Sequence, residues 1–365
     1  MAAPDLPSGI DTPALVIDLD IVERNARRLA AALAARGIAL RPHAKTHKSV
    51  ALAQLQLEAG ARGITVGNLG EAEVFAAGGL DDIFIAYPVW AEGRKAERLH
   101  ALHTRPGLRL AVGFDSIAGA QRLAAAVAAS GHPLRVMLEL DPGNSRTGAL
   151  PGEAGEIGRA ATLLGLEVLG VFTHGGHAYR PGAAEATGAD EVQALRAGAE
   201  ALRAAGIEPI TISAGSTPTQ LTAAFAPVNE MRAGTYLLGD RQQWAIGAVP
   251  PDGIAAVIAT TVVSTAVDGQ VVIDAGAKTL TKDVAPYLAG HGLLPAYPDA
   301  VIDRVSDYHG VVRVPRDGVL PRLGEIVAVI PNHICPVVDL RDSFLATRSG
   351  TLVGTWPVDA RGRSG

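Results

Sequence analysis

The sequence predicts an α/β protein, a (β/α)8 barrel of the TIM type with a second, mainly β domain after it. Two observations carry this. Between about residues 38 and 240 short aliphatic runs alternate with Ala/Leu/Arg-rich amphipathic stretches, the texture of repeated βα units. Beyond Pro250 and Pro251 the strand-like runs continue, but no long helix separates them.

Taken in order, candidate strands begin near Ile38, Gly63, Ile83, Leu108, Leu134, Val168, Ile210 and Gly234. Eight units suit a closed barrel. An open doubly wound sheet would normally have fewer strands and a glycine-rich first turn, and no GxGxxG follows the first strand. Apolar residues recur at helical spacing over 21–36, 116–130 and 190–205, each stretch closing near a glycine. In the second domain, IAAVIATTVVSTAVDGQVVIDAG reads as two strands around a turn at Asp268-Gly269. Further strands are expected at 310–314, 325–330 and 351–358. The early run 14–18 lies outside the eightfold count and is expected to add a strand to the β domain. The expected division is therefore a barrel at 20–248 and a β domain made of 1–19 plus 249–365.

Composition narrows the function. With 32 basic against 37 acidic residues the formal charge is −5, which argues against a broad nucleic-acid-binding face. No basic and apolar leader precedes the first elements, and the most apolar run, 254–267, is too short and too polar to span a membrane. A cytoplasmic protein acting on a small molecule, with no membrane or nucleic-acid partner, is the expectation. Cys335 is the only cysteine, so an intramolecular disulfide is impossible and the thiol is available for metal or redox chemistry.

Active residues of a barrel sit at the carboxyl ends of its strands. After the first strand, RPHAKTHKS places His43, Lys45, His47 and Lys48 within nine residues, where the lysines are expected to disfavour each other's charge and yield a nucleophilic amine. Lysine is scarce here: the others are Lys95, Lys278 and Lys282. SAGSTPT, at 213–219, combines Gly215 with the hydroxyls of Ser216 and Thr217 before an expected helix start, an arrangement that can hold a phosphate. MRAGTYLLGD, at 231–240, adds Gly234 in the expected eighth strand beside it. ELDPGNSRTG presents Asp141 and Arg146, and VFTHGGHAY presents His174, His177 and Tyr179; the two glycines between the histidines imply close backbone approach, as of a flat ligand. In the β domain, His333 and Cys335 stand two apart, on one side of a segment expected to be extended, a spacing that suits two ligands of one zinc. With no second cysteine, such a site would be open and completed by water or substrate, as in catalytic zinc sites.

In this order, TPALVIDLD from Thr12, PHAKTHKS, GNLGEAE, DPGNSRTG, THGGHAY, SAGSTPT, MRAGTY and PNHICP span nearly the whole chain. The set resembles the fold-type III pyridoxal phosphate enzymes, specifically the D-threonine aldolase and D-serine dehydratase group related to alanine racemase. The resemblance implies that Lys45 carries the cofactor covalently and that Lys48 is its neighbour. Arg146 would approach the cofactor's phenolic oxygen, His174 would lie against the ring, and Tyr179 would sit near the pyridine side. Gly215, Ser216, Thr217, Gly234 and Thr235 would hold the phosphate. His333 and Cys335 match the metal pair that separates this group from alanine racemase, which uses a tyrosine base. Head-to-tail homodimers are also implied, each β domain closing the partner's site.

The implied activity is that of a lyase on D-β-hydroxy-amino acids. A His/Cys pair leans towards the dehydratases, which convert D-serine, D-threonine or D-3-hydroxyaspartate to a 2-oxo acid and ammonia; the aldolase alternative pairs His with Asp and releases glycine and an aldehyde. The thiolate favours zinc over manganese or magnesium. A racemase ranks behind these because the metal pair leaves one face of Cα without its base, and a non-catalytic cofactor carrier ranks behind them because it has no use for the β domain. Two positions depart from the group's pattern: Asp307-Tyr308-His309-Gly310 replaces Glu-Glu-His-Gly, and Asp339 stands where Asn is expected.

Overall fold

A computed structural model describes residues 5–315, 318–319 and 321–365. They fall into two units. One takes the residues up to Ala26 together with Thr46–Ala51 and Thr235–Arg361; the other takes Arg27–Lys45, Leu52–Gly234 and Gly362–Gly365. This grouping starts the barrel unit at Arg27 and ends its main body at Gly234, where the sequence reading has 20 and 248.

In chain order the elements up to the end of the barrel are β1 (Ala14–Asp18), α1 (Leu19–Ala34), β2 (Ala39–Leu40), α2 (Val50–Glu58), β3 (Ile64–Val66), α3 (Leu69–Ala77), β4 (Asp82–Pro88), α4 (Arg94–His103), β5 (Arg109–Phe114), α5 (Ile117–Val127), β6 (Arg135–Glu139), α6 (Ala154–Leu163), β7 (Glu167–Phe172), α7 (Ala184–Ala204), β8 (Thr211–Ala214) and β9 (Glu230–Met231). Strands β2 to β9 form one parallel sheet in the order β2-β9-β8-β7-β6-β5-β4-β3. Its two ends meet: His43, just beyond β2, bridges Thr65 of β3, and the Thr65 and Arg62 amides donate to Pro42 and Leu40 carbonyls at 2.8 Å each. The eight strands therefore close into the expected ring.

Local sequence explains the helices around it. Asn68 caps α3 by accepting from the Glu71 amide at 3.0 Å, and Ser116 caps α5 by accepting from the Gly119 amide at 3.2 Å. Two expectations need correction. The eighth strand is Glu230–Met231, paired with Ala39 and Ser213, and Gly234 lies in the loop after it. A two-residue strand that begins with a buried carboxylate carries no hydropathy signal. Nor does a helix follow SAGSTPT: 215–229 runs in turns, and Pro218 and Pro227 lack the amide that a helix interior needs.

Inside the ring, Phe84, Met137 and Phe172 pack together, with the two phenyl rings edge to face at 5.1 Å. Arg41 leaves the end of β2 to meet Glu230 at 2.8 Å and Asp82 at 2.5 Å. Burial disfavours its charge, but these two carboxylates outweigh that and raise its pKa.

The other unit continues with α8 (Arg241–Ala245), β10 (Ala256–Ser264), β11 (Gln270–Ile273), α9 (Ala277–Leu280), β12 (Val301–Val305), β13 (Gly310–Arg313), β14 (Ile326–Val329), α10 (Ile334–Asp339), β15 (Ser343–Arg348) and β16 (Thr351–Pro357). Its sheet runs β12-β13-β11-β10-β1-β15-β16, with β14 also on β10. As expected, β1 joins this sheet, antiparallel to β10 and parallel to β15. The β10–β11 hairpin turns through Gly269, whose φ is +75°. Strands β12 and β15 were not anticipated. Among the described residues no helix is long and apolar enough to cross a membrane.

The tightest backbone approach in the ring is at Gly170, where φ is +149° and an added Cβ would lie 1.9 Å from the Thr211 carbonyl oxygen. Gly170→Ala is expected to lower the unfolding free energy by about 2–4 kcal/mol. Urea denaturation checks this; an unchanged midpoint would mean the strand shifts freely.

Candidate active site

The residues after β2 form a compact turn rather than a solvated basic loop. His43 and His47 are buried, and their Nδ1 atoms accept from the amides of Lys45 at 3.4 Å and Ser49 at 3.1 Å. The imidazoles thus cap the backbone that carries the lysines. Lys45 lies in the short 3-10 turn Ala44–Thr46 and is exposed, whereas Lys48 is buried, with its Nζ 2.6 Å from Asp339 Oδ1. The ammonium of Lys48 is therefore met by a carboxylate. Asp339, the departure from the group's Asn, is the residue that meets it.

His174 follows β7 and Tyr179 lies close by, with ring centroids 6.4 Å apart. Burial drives the imidazole pKa well below its usual value, and the charges of Lys45, Arg146 and Arg232 push it the same way, while a bond to the Gly215 backbone opposes them. His174 is thus a neutral ring surrounded by three cations from other strand ends. The glycines beside it answer to protein rather than to a ligand. A Cβ at Gly175 would lie 2.6 Å from Glu191 Oε2, and one at Gly176 would lie 2.5 Å from Asn144 Oδ1. His177 turns away to Asp190 at 3.1 Å.

Arg146 is half exposed, with its Nη2 3.5 Å from Glu139 Oε1. Glu139, at the end of β6, also accepts from Thr147 Oγ1 at 2.9 Å, and its other oxygen is buried without a hydrogen-bond partner. Burial raises its pKa, against the pull of Thr147, Arg146 and Arg232. Sequence reasoning gave Glu139 no role; its signal was a carboxylate directly after the apolar run Val136–Leu138 at the end of a strand.

Gly215 has φ +110°, and a Cβ there would meet Met231 Sδ at 2.1 Å. After it, Ser216 and Thr217 are buried, and the Ser216 amide and hydroxyl meet Thr219 Oγ1 at 3.1 and 3.0 Å. The turn is thus held by its own side chains and by Glu191, which accepts from the Gly215 amide at 2.9 Å, rather than by a helix end. Gly234 is buried beyond β9, and Thr235 opens the next unit.

In that unit His333 caps α10 and Cys335 lies in its first turn, so the segment is helical rather than extended as expected. Pro336 fits the first turn, where its missing amide costs nothing. Asp240 holds the turn by accepting from the Ile334 amide at 3.1 Å, and Asp283 Oδ2 lies 2.6 Å from His333 Nδ1. Cys335 Sγ donates to Thr46 Oγ1 at 3.4 Å and lies 3.8 Å from Thr235 Oγ1. Burial opposes charge on His333, yet Cys335, Asp240 and Asp283 overcome it and draw its pKa up to about 10. Burial raises Asp240 to about 6 despite His333 and two amide donors. This corner therefore attracts positive charge. Among the described residues, no group of three or more His, Cys, Asp or Glu side chains is arranged to hold a metal ion.

Two family descriptions match the chain: alanine racemase, N-terminal domain, over residues 17–242, and putative serine dehydratase domain over 255–347. The chain belongs to the fold-type III pyridoxal phosphate enzymes. Within this family its relatives are lyases. It is 34% identical to the D-threo-3-hydroxyaspartate dehydratase of Delftia sp. (strain HT23), over 95% of this chain and 97% of that one. It is 32% identical to the D-threonine aldolase of Arthrobacter sp, over 97% and 94%. The crystal structure of D-threonine aldolase from Filomicrobium marinum superposes with a TM-score of 0.88 at 32% identity, covering 100% of both chains. A cysteine-to-alanine mutant of D-threo-3-hydroxyaspartate dehydratase, described as in the metal-free form, superposes with a TM-score of 0.86 at 33% identity over 96% of this chain and 97% of that one. Membership of this family makes the chain a pyridoxal phosphate-dependent lyase.

The depressed pKa of His174 gives a pH test. The unfolded chain takes up this proton near pH 6.5, whereas the folded family member resists it to lower pH, so stability falls as pH drops below about 6.5. His174→Gln should flatten this part of the curve, removing a slope of up to about 1.4 kcal/mol per pH unit. Denaturant melts of both proteins between pH 7 and 5 measure it; parallel curves would show that His174 titrates normally.

Proposed function

We propose that this protein is a metal-assisted dehydratase of D-β-hydroxy-amino acids, with D-serine, D-threonine and D-3-hydroxyaspartate as the substrate class. The observation that carries this reading is the His333–Cys335 pair at the head of α10, whose side chains are hydrogen-bonded to each other while Asp283 holds His333 Nδ1. Imidazole and thiolate are a soft donor set that suits zinc ahead of manganese or magnesium. Two protein ligands leave positions for water or substrate, and the added acidity is supplied at the β-hydroxyl.

The barrel residues fit pyridoxal phosphate. Lys45 offers an exposed amine for covalent attachment, the positive-φ turn at Gly215 with Ser216 and Thr217 suits the phosphate, and Gly234 and Thr235 extend that cradle. The neutral ring of His174 suits stacking on a flat heteroaromatic, Tyr179 flanks it on the pyridine side, and Arg146, steadied by Glu139, suits the phenolic oxygen. When bound, the cofactor supplies an electron sink for the bond broken at Cα. Lys45 Nζ then takes the Cα proton of the D-substrate, and Lys48, held by Asp339, stays out of that exchange. His333 and Cys335 orient the β-hydroxyl for departure. The resemblance supports a homodimer, which light scattering of the eluted protein tests.

Similar identity to an aldolase supports a second reading, in which the Cα–Cβ bond breaks and glycine leaves with an aldehyde. Incubation with D-threonine decides between them. The expected products are 2-oxobutyrate and ammonia; glycine with acetaldehyde would overturn the dehydratase reading. Cys335→Ala should lose bound zinc in proportion to activity, as read by elemental analysis of the dialysed protein. Borohydride reduction followed by peptide mass spectrometry should mark Lys45, and a mark on Lys48 would refute the assignment.

A further inference from the structure

Glu191 lies in the middle of α7, wholly buried on the helix face that also carries Thr187 and Leu195. A buried carboxylate is costly unless its oxygens are bonded. Here three donors converge on one oxygen: Glu191 Oε1 accepts from Thr173 Oγ1 at 3.0 Å, the Gly175 amide at 3.1 Å and the Gly215 amide at 2.9 Å. The second oxygen has no hydrogen-bond partner. It lies where a Cβ on Gly175 would come within 2.6 Å. The three donors belong to two strand ends, the one before His174 and the one that begins the Gly215-Ser216-Thr217 turn. His174 itself bonds back to the Gly215 backbone, which closes the circuit.

We infer that Glu191 is a positioning residue whose single oxygen fixes the His174 loop and the Gly215–Thr217 turn in one register, and so sets the phosphate-binding strength of the barrel. The inference rests on the reading of the barrel as a pyridoxal phosphate site. The carboxylate reaches both loops from α7, which packs against β7 and β8, the strands that lead into them. A residue needed only to balance the nearby Arg232 would not require its oxygen to be shared between two loop amides.

The test compares binding of pyridoxal phosphate with that of pyridoxal, which lacks the phosphate, by fluorescence titration of the apoprotein. In Glu191→Ala the ratio of the two affinities should fall roughly 10- to 100-fold, as expected for loss of the hydrogen bonds that tie the two loops together. Glu191→Gln keeps an acceptor oxygen at the same reach and should stay within about threefold of the unaltered protein. Glu191→Asp keeps the charge beside Arg232 but falls a methylene short, and should behave like the alanine variant; it also serves if that variant does not fold, with circular dichroism confirming folding. An unchanged ratio in either shortened variant overturns the proposal. So does a glutamine variant as impaired as alanine, which would assign Glu191 to charge balance. Failure of the unaltered protein to bind either compound would instead reject the cofactor reading itself.

Discussion

The strand ends that carry the candidate site are arranged around a buried positive charge. Arg232, just past β9, has its guanidinium entirely inside the ring. Its Nε donates to Ser213 Oγ at 2.9 Å, its Nη2 donates to the Thr173 carbonyl, and its charge lies over the Phe172 and Phe84 rings at 5.1 and 5.9 Å. Burial lowers its pKa, while Glu230, Glu191 and Glu139 oppose that. A desolvated charge left without such partners would cost several kcal/mol. Three carboxylates, a hydroxyl, a carbonyl and an aromatic pair are therefore constrained by one side chain, and among them Glu139, Thr173 and Ser213 lie at or near the ends of β6, β7 and β8 from which the candidate site is built.

That constraint explains why polar residues sit where a barrel interior is normally packed with branched aliphatics. Glu230 answers two arginines, Arg41 through an ion pair and Arg232 through Ser213. Thr173 gives its carbonyl to Arg232 and its hydroxyl to Glu191. The loop that begins at His174 is thus fixed at its root before any ligand arrives. Preorganisation of this kind is what a site needs when its chemistry depends on holding a flat ring and a phosphate at once.

The fold was legible where hydrophobic periodicity is strong and illegible where polarity does the pairing. Seven barrel strands and the β10–β11 hairpin announce themselves as aliphatic runs, but β9 starts on Glu230 and hides. β12 contains Asp303 and Arg304 on an edge of its sheet, so it lacks the run that would reveal it. The segment around Cys335 misleads in the opposite sense: β-branched Ile334, Val337 and Val338 suggest a strand, yet all three are buried on one side of a short helix. The candidate site divides in the same way. Lys45, His174 and Arg146 were found because strand ends of a barrel are known positions for chemistry. Glu191 was not found, although a lone carboxylate four residues after Thr187 and four before Leu195, on the apolar face of α7, is a readable signal. Asp283 and Asp240 left none, because only the folded chain brings them to His333.

The choice between expelling the β-hydroxyl and breaking the Cα–Cβ bond comes down to a proton. Dehydration needs the departing oxygen to keep or gain a proton, whereas retro-aldol cleavage needs that oxygen to lose one. In the proposed reading Lys45 would serve the first path, by taking the Cα proton while the hydroxyl stays intact. The groups nearest the His333–Cys335 pair are carboxylates already engaged: Asp240 by the Gln243 and Ile334 amides, and Asp283 by His333. In the proposed reading the weight therefore falls on the ligand set: imidazole and thiolate would place a soft ion at the β-hydroxyl and so favour its loss over cleavage of the carbon chain.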